Sequence, residues 1–180
     1  MENIIFLDID GVLNDNNNKF LLECFEVLKQ LIQKYNAKIV MITSWQKNGT
    51  ETKRKKIREL FEKLDINNID FIDPNFEGKL YDIKLPSRLL GIVDYLNNNE
   101  LSNYVILDDE YHNDYSLICL NHYRTKSFKG LMVKDFSKII FKPVNLKNFK
   151  YINYKYRQLG EHEKVTNNLI RVLKKYKEVK

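Results

Sequence analysis

Three short apolar runs, each closing on polar groups, constrain this chain more than any other feature. Asn3–Asp8 (NIIFLD) ends in a carboxylate and Ala37–Thr43 (AKIVMIT) in a hydroxyl, while Tyr104–Leu107 (YVIL) opens into Asp108 and Asp109. Runs this brief, rich in Ile, Val and Phe, fit strands buried on both faces. Helical periodicity fills the gaps. Phe25, Leu28, Ile32 and Tyr35 recur within residues 19–35, with Leu21, Cys24 and Leu31 widening the stripe. Ile57, Leu60, Phe61 and Leu64 mark a second helix over 52–64, and Ser87 is an N-cap for a third over 87–97. Residues 69–72 and 117–120 are further strand candidates, 75–86 a loop, and 133–141 a short helix. Strand alternating with helix predicts an α/β fold with a mainly parallel sheet flanked by helices. Ligands of such sheets bind beyond the carboxyl ends of the strands. Asp8, Thr43, Ser44, Asp108 and Asp109 therefore mark a candidate site.

Length and charge divide the chain. Its 180 residues suit one domain with a short appendage. The final segment, Phe141 to Lys180, holds eleven Lys and Arg against three Glu, a net +8, so the whole-chain +6 leaves −2 for the first 140 residues. We expect a core over 1–141 and a basic extension over 142–180 that ends in an amphipathic helix over 161–178. Val165, Leu169, Val172 and Tyr176 form the apolar face of that helix. Tyr151, Tyr154 and Tyr156 alternate with Lys and Arg, a pattern that suits either packing on the core or contact with nucleic acid. Cys24 and Cys119 lie among apolar residues and read as reduced core thiols. With a strand starting at the N-terminus and no apolar run near ~18 residues, the expectation is a soluble, cytoplasmic protein and no membrane partner.

The segment Asp8-Ile9-Asp10-Gly11-Val12-Leu13 carries the sharpest chemistry. Two carboxylates follow a buried strand, and Asp108 and Asp109 end another. At ~4 Å, with an effective dielectric near ~20, each like-charged pair costs about 4 kcal/mol. Four carboxylates in one pocket need a cation, and an all-oxygen donor set selects a hard ion such as magnesium. Other residues have plainer readings. Trp45 either walls the site or stacks on a base. His112 and Asp114 are loop residues near the acidic pair, and His122 and His162 lack ligand-like partners. The run Lys53-Arg54-Lys55-Lys56 reads as a solvated helix face rather than a nucleic-acid patch.

Asp8–Leu13 resembles the first motif of the haloacid dehalogenase-like superfamily, an acidic pair flanking one residue, then Gly, after an apolar strand. Thr43 is similar to its second motif and Asp108–Asp109 to its fourth. The resemblance covers residues 3–140 and implies a Rossmann-like sheet. Ala37–Trp45, Arg88, Ile106–Asp109 and Gly130–Leu131 narrow it to the Swiss Army Knife RNA repair-like domains. The resemblance implies that Asp8 is the nucleophile that forms an aspartyl-phosphate and Asp10 the general acid and base. It also implies that Thr43, with Ser44 as runner-up, binds a phosphate oxygen. Magnesium would be held by Asp8, by Asp10 through its backbone carbonyl, and by Asp108 or Asp109. The phosphate-pairing cation is Arg88 or Lys84, with Arg88 preferred for its fork geometry.

Superfamily caps are inserted after the first motif or between the second and third. Here 35 positions separate Asp8 from Thr43 and 45 separate Thr43 from Arg88, too few for a full cap. A site with minimal or no cap admits a large phosphorylated substrate. The expectation is a magnesium-dependent phosphomonoester hydrolase acting on nucleic-acid ends. A small-nucleotide phosphatase, phosphoprotein hydrolysis and a non-catalytic nucleic-acid- or partner-binding module are the alternatives.

Overall fold

The computed structural model describes residues 2–15, 17, 19–46, 50–72, 88, 91–92, 95–96, 99, 101–110 and 121–143. Strands β1 (Glu2–Leu7), β2 (Ala37–Met41), β3 (Ile69–Phe71), β4 (Leu101–Asp108) and β5 (His122–Arg124) form one sheet. The order is β3-β2-β1-β4-β5, and every pairing is parallel. The chain thus steps outward from β1 through β2 to β3, then crosses to the other side of β1 for β4 and β5. The strand order reverses between β1 and β4, where a parallel sheet opens a crevice at its carboxyl edge.

Helices α1 (Leu22–Tyr35) and α2 (Thr50–Glu62) cover one face. Cys24, Phe25, Leu28 and Leu31 of α1 and Ile57 and Phe61 of α2 join Ile5, Leu7, Ile39, Met41, Val105 and Leu107 in a single core. The intervening strand residues Ile4, Phe6, Val40 and Ile106 point to the other face and are fully buried too. There Phe6 meets Tyr95 edge to face at 5.7 Å. Arg88, Gly91, Ile92, Tyr95 and Leu96 are helical, as the sequence predicts for 87–97. Burial on both faces explains why β1 and β4 read as unbroken apolar runs. Among the described residues, no helix is long and apolar enough to cross a membrane.

Two elements differ from expectation. Helix α1 begins at Leu22 rather than Lys19 because the preceding residues close a small loop. Phe20 bridges Asn14, and the Leu21 amide donates to the Leu13 carbonyl at 3.0 Å. Residues 133–141 are not a continuous helix. A single 3-10 turn (Val133–Asp135) forms where the Asp135 carboxylate accepts the Met132 amide at 3.0 Å and the Tyr123 hydroxyl at 2.7 Å. Beyond it Ile139 and Phe141 are buried on alternate positions, and Lys142 pairs with Tyr104 as extended chain. Lys84, Ser87, His112, Asp114, Cys119, His162, residues 117–120 and the basic extension beyond 143 lie outside the described residues.

Gly130 ties this C-terminal segment to the loop after β1. Its φ is +63°, and an added Cβ would lie 2.7 Å from both the Val12 carbonyl oxygen and the Cys24 sulfur. Left-handed backbone and overlap with a fixed carbonyl add in the same direction. We expect Gly130→Ala to destabilise the fold by about 2–5 kcal/mol, read as a lower urea midpoint at unchanged slope.

Candidate active site

Asp8 follows β1 and Asp108 ends β4, so the two strands flanking the crevice each deliver a carboxylate to it. The two groups are held alike. Asp8 Oδ1 accepts the Ile9 amide at 2.8 Å, and Asp108 Oδ1 accepts the Glu110 amide at 3.0 Å. Each amide fixes one oxygen and leaves Oδ2 aimed at the gap between the strands. There the Arg88 guanidinium bridges them, with Nη1 3.0 Å from Asp8 Oδ2 and 2.6 Å from Asp108 Oδ2. Both carboxylates are almost fully buried, at 3% and 0% exposure. Charge this deep is costly unless paired. Burial pushes the Asp8 carboxyl up from 3.8 to about 6, against the Arg88 charge, and Asp108 adds to the rise. Asp109 is also raised, chiefly by burial and then by Asp108.

Ligand oxygens of Asp8, Asp108 and Asp109 lie within 4.8 Å of one another. Gly11 makes that approach possible. Its φ is +64°, and a Cβ there would overlap the Asp109 carboxyl group. The donor set is all oxygen, its charge exceeds what one guanidinium neutralises, and a cationic group already sits between two members. These residues fit a hard divalent cation.

Asp10 is treated differently. Its carboxylate stands outside this cluster, held from two sides. Asn14 Nδ2 donates to Oδ1 at 2.9 Å and Trp45 Nε1 donates to Oδ2 at 2.7 Å. Asn14 is fully buried and also accepts the Gly11 amide at 2.8 Å. Thr125 donates its hydroxyl to the Gly11 carbonyl at 2.7 Å, and the Leu131 amide donates to Val12 at 2.8 Å. The loop bearing both acids is therefore pinned at successive peptide groups.

Thr43 is buried just past β2. Its hydroxyl accepts the Trp45 amide at 3.3 Å and works against the rise of the Asp8 carboxyl. Ser44 is exposed at the start of a 3-10 turn (Ser44–Gln46). Arg88 reaches the carboxylates rather than standing apart from them. His122 lies on β5 with Nε2 3.1 Å from the Asp108 carbonyl oxygen, a strand contact rather than a ligand position. The structure thus brings Asp8, Asp10, Thr43, Arg88, Asp108 and Asp109 to one crevice. Asn14 and Thr125 were missed. The only signal for Asn14 is one amide next to Val12–Leu13, three residues after a glycine.

Residues 4–136 match the family described as the HAD domain in Swiss Army Knife RNA repair proteins. No curated protein and no solved structure matches the chain.

Asp8 becomes charged at higher pH in the folded chain than in the unfolded one. Its charging therefore opposes folding as pH rises from about 4 to about 6. In metal-free protein, Asp8→Asn should match wild type in thermal midpoint at about pH 3.5. At about pH 7.5 it should be more stable, by on the order of 2–3 kcal/mol.

Proposed function

The chain belongs to the haloacid dehalogenase-superfamily domains of the Swiss Army Knife RNA repair type, and from that premise we propose that it is a magnesium-dependent phosphomonoester hydrolase acting on nucleic-acid ends. The fold with its cluster of Asp8, Asp108 and Asp109 supports hydrolase activity of the phosphatase kind. The observation that carries the reading is the contrast between two acids two residues apart. Asp8 is buried among carboxylates and one cation, whereas Asp10 is held apart by neutral N–H donors.

In this mechanism Asp8 Oδ2 attacks phosphorus in line with the leaving oxygen and becomes the aspartyl-phosphate. Asp10 gives its proton to the leaving oxygen, then takes one from the water that hydrolyses the acyl phosphate. Thr43, with Ser44 in reserve, donates to a phosphoryl oxygen. Arg88 turns its fork from the carboxylates to the phosphoryl group as the substrate arrives; Lys84 is the alternative cation. Asp8, the Asp10 carbonyl, and Asp108 or Asp109 hold magnesium, which supplies charge neutralisation of the entering anion and of the transition state. Nucleic-acid ends are favoured by the family's description and by the basic, Tyr-bearing segment 142–180, which we assign as an extension of the core 1–141 that tracks the strand. A cytoplasmic location suits the buried free thiol of Cys24.

Hydrolysis of an aryl phosphate should require magnesium, and Asp8→Asn should lower turnover by about 10³-fold or more, since an amide is a very poor nucleophile. Near-normal turnover by that variant would remove Asp8 as nucleophile. Trp45→Phe should act through Asp10. Its loss in kcat/KM should be about tenfold larger on an alkyl phosphate than on an activated aryl phosphate, whose leaving group needs little protonation.

A further inference from the structure

The position of Asp10 dictates where the organic part of a substrate must go. In an in-line displacement the leaving group departs on the side away from Asp8, within hydrogen-bond reach of the acid that protonates it. Asp10 Oδ2 is bonded to Trp45 Nε1 at 2.7 Å, so the leaving group departs beside the indole. This step rests on the phosphatase reading above.

Trp45 also lines an open cavity of about 450 Å³, whose other described walls are Lys53, Lys56, Ile57 and Leu60 of α2. That volume lies within the range of about 300–1,000 Å³ found for ligand sites. Lys53 and Lys56 are three residues apart and so share one face of α2. Lys53 and its basic neighbours Arg54, Lys55 and Arg58 all engage other groups of the protein. Arg54 donates to the Ile72 carbonyl at 3.0 Å and lies 5.2 Å from the Phe71 ring centre. Lys55 sits 4.0 Å from Glu59, and Arg58 pairs with Glu51 at 3.2 Å. Lys53, Lys55 and Lys56 are exposed, as expected of a solvated face, and two of them border a hollow floored by an indole and two aliphatic side chains.

A ligand for this hollow needs a flat apolar face and a second negative charge beyond the scissile phosphate. A sugar phosphate lacks the first, and a nucleoside monophosphate lacks the second. We propose that the cavity is the leaving-group subsite for a single-stranded polynucleotide. The base of the terminal nucleotide lies against Trp45, Ile57 and Leu60, and the adjoining backbone phosphate pairs with Lys53 and Lys56. Trp45 thereby serves both ends of the event, orienting Asp10 and receiving the base.

The test compares kcat/KM of the full chain, with magnesium, on four substrates: an aryl phosphate, a nucleoside monophosphate, a dinucleotide carrying a terminal phosphate, and an acidic phosphopeptide. The dinucleotide is supplied phosphorylated at the 5′ or the 3′ end. Wild type should prefer the dinucleotide to the monophosphate. Lys56→Glu should lower dinucleotide kcat/KM about five- to tenfold, and Lys56→Ala less. Both variants should leave aryl phosphate within about twofold, because Lys56 is exposed and lies outside the reacting groups. Lys126→Glu is the control, since Lys126 borders a different hollow beside Asp109. An equal loss with Lys126→Glu would reduce the effect to general field and overturn the subsite. A dinucleotide preference untouched by Lys56→Glu would overturn it while sparing the phosphatase reading. A greater loss on the phosphopeptide would assign the cavity to a protein substrate instead. Hydrolysis of none of the four would overturn the reading on which the subsite stands.

Discussion

Two buried carboxylates at the ends of adjacent parallel strands are the constraint around which this molecule is organised. Asp8 and Asp108 are brought together by the pairing of β1 with β4, whose register runs through Leu7 and Leu107. Neither can move away, because both strands are buried on both faces. Their repulsion is met by local devices: an amide on one oxygen of each, a shared guanidinium on the other, and for Asp8 the Thr43 hydroxyl. Burial outweighs these devices, and with the charge of Asp108 it leaves the Asp8 carboxyl raised. A site left short of positive charge in this way is poised for a cation and then for an anion that the cation can share.

The loop after β1 converts that electrostatic strain into a division of labour. Gly11 turns the chain in the left-handed region, which lets Asp109 close on the cluster, while Asn14 and Trp45 hold the Asp10 carboxylate. Asn14, Thr125 and Leu131 then take up the loop's own amide and carbonyl groups, leaving few that need water. Residues far apart in sequence thus set the separation of two acids that are neighbours in it. The two acids thereby stand among unlike partners: Asp8 among carboxylates and a guanidinium, Asp10 against neutral N–H donors.

Much of this was legible in the sequence because buried strands and motif loops leave simple marks. Strands β1 and β4 and their acidic ends follow from apolar runs that stop at Asp8 and Asp108. Helix α2 follows from Ile57 and Phe61 at helical spacing. The short edge strand His122–Arg124 was not visible, since half-buried His122 and Tyr123 beside exposed Arg124 carry no apolar pattern. Residues 133–141, expected as a short helix, form a 3-10 turn at Val133–Asp135 followed by extended chain, where the two-residue spacing of buried Ile139 and Phe141 suits a strand face and not a helix face. The Trp45–Asp10 bond and the Asn14 brace join elements through side-chain geometry, which no local pattern encodes. The basic run on α2 looked uniform in sequence. The contacts of Arg54 with Phe71 and Ile72 and the pairing of Lys55 with Glu59 separate it into members with different neighbours.

The central claim is that Asp8 becomes covalently phosphorylated within this cluster. Acid quenching during turnover, followed by mass analysis of the peptides, measures it directly. The account predicts one phosphoryl group on the peptide carrying Asp8, present only with magnesium and substrate together and absent in Asp8→Asn. Steady turnover with no phosphoryl group on that peptide, or with one on a different residue, would contradict it.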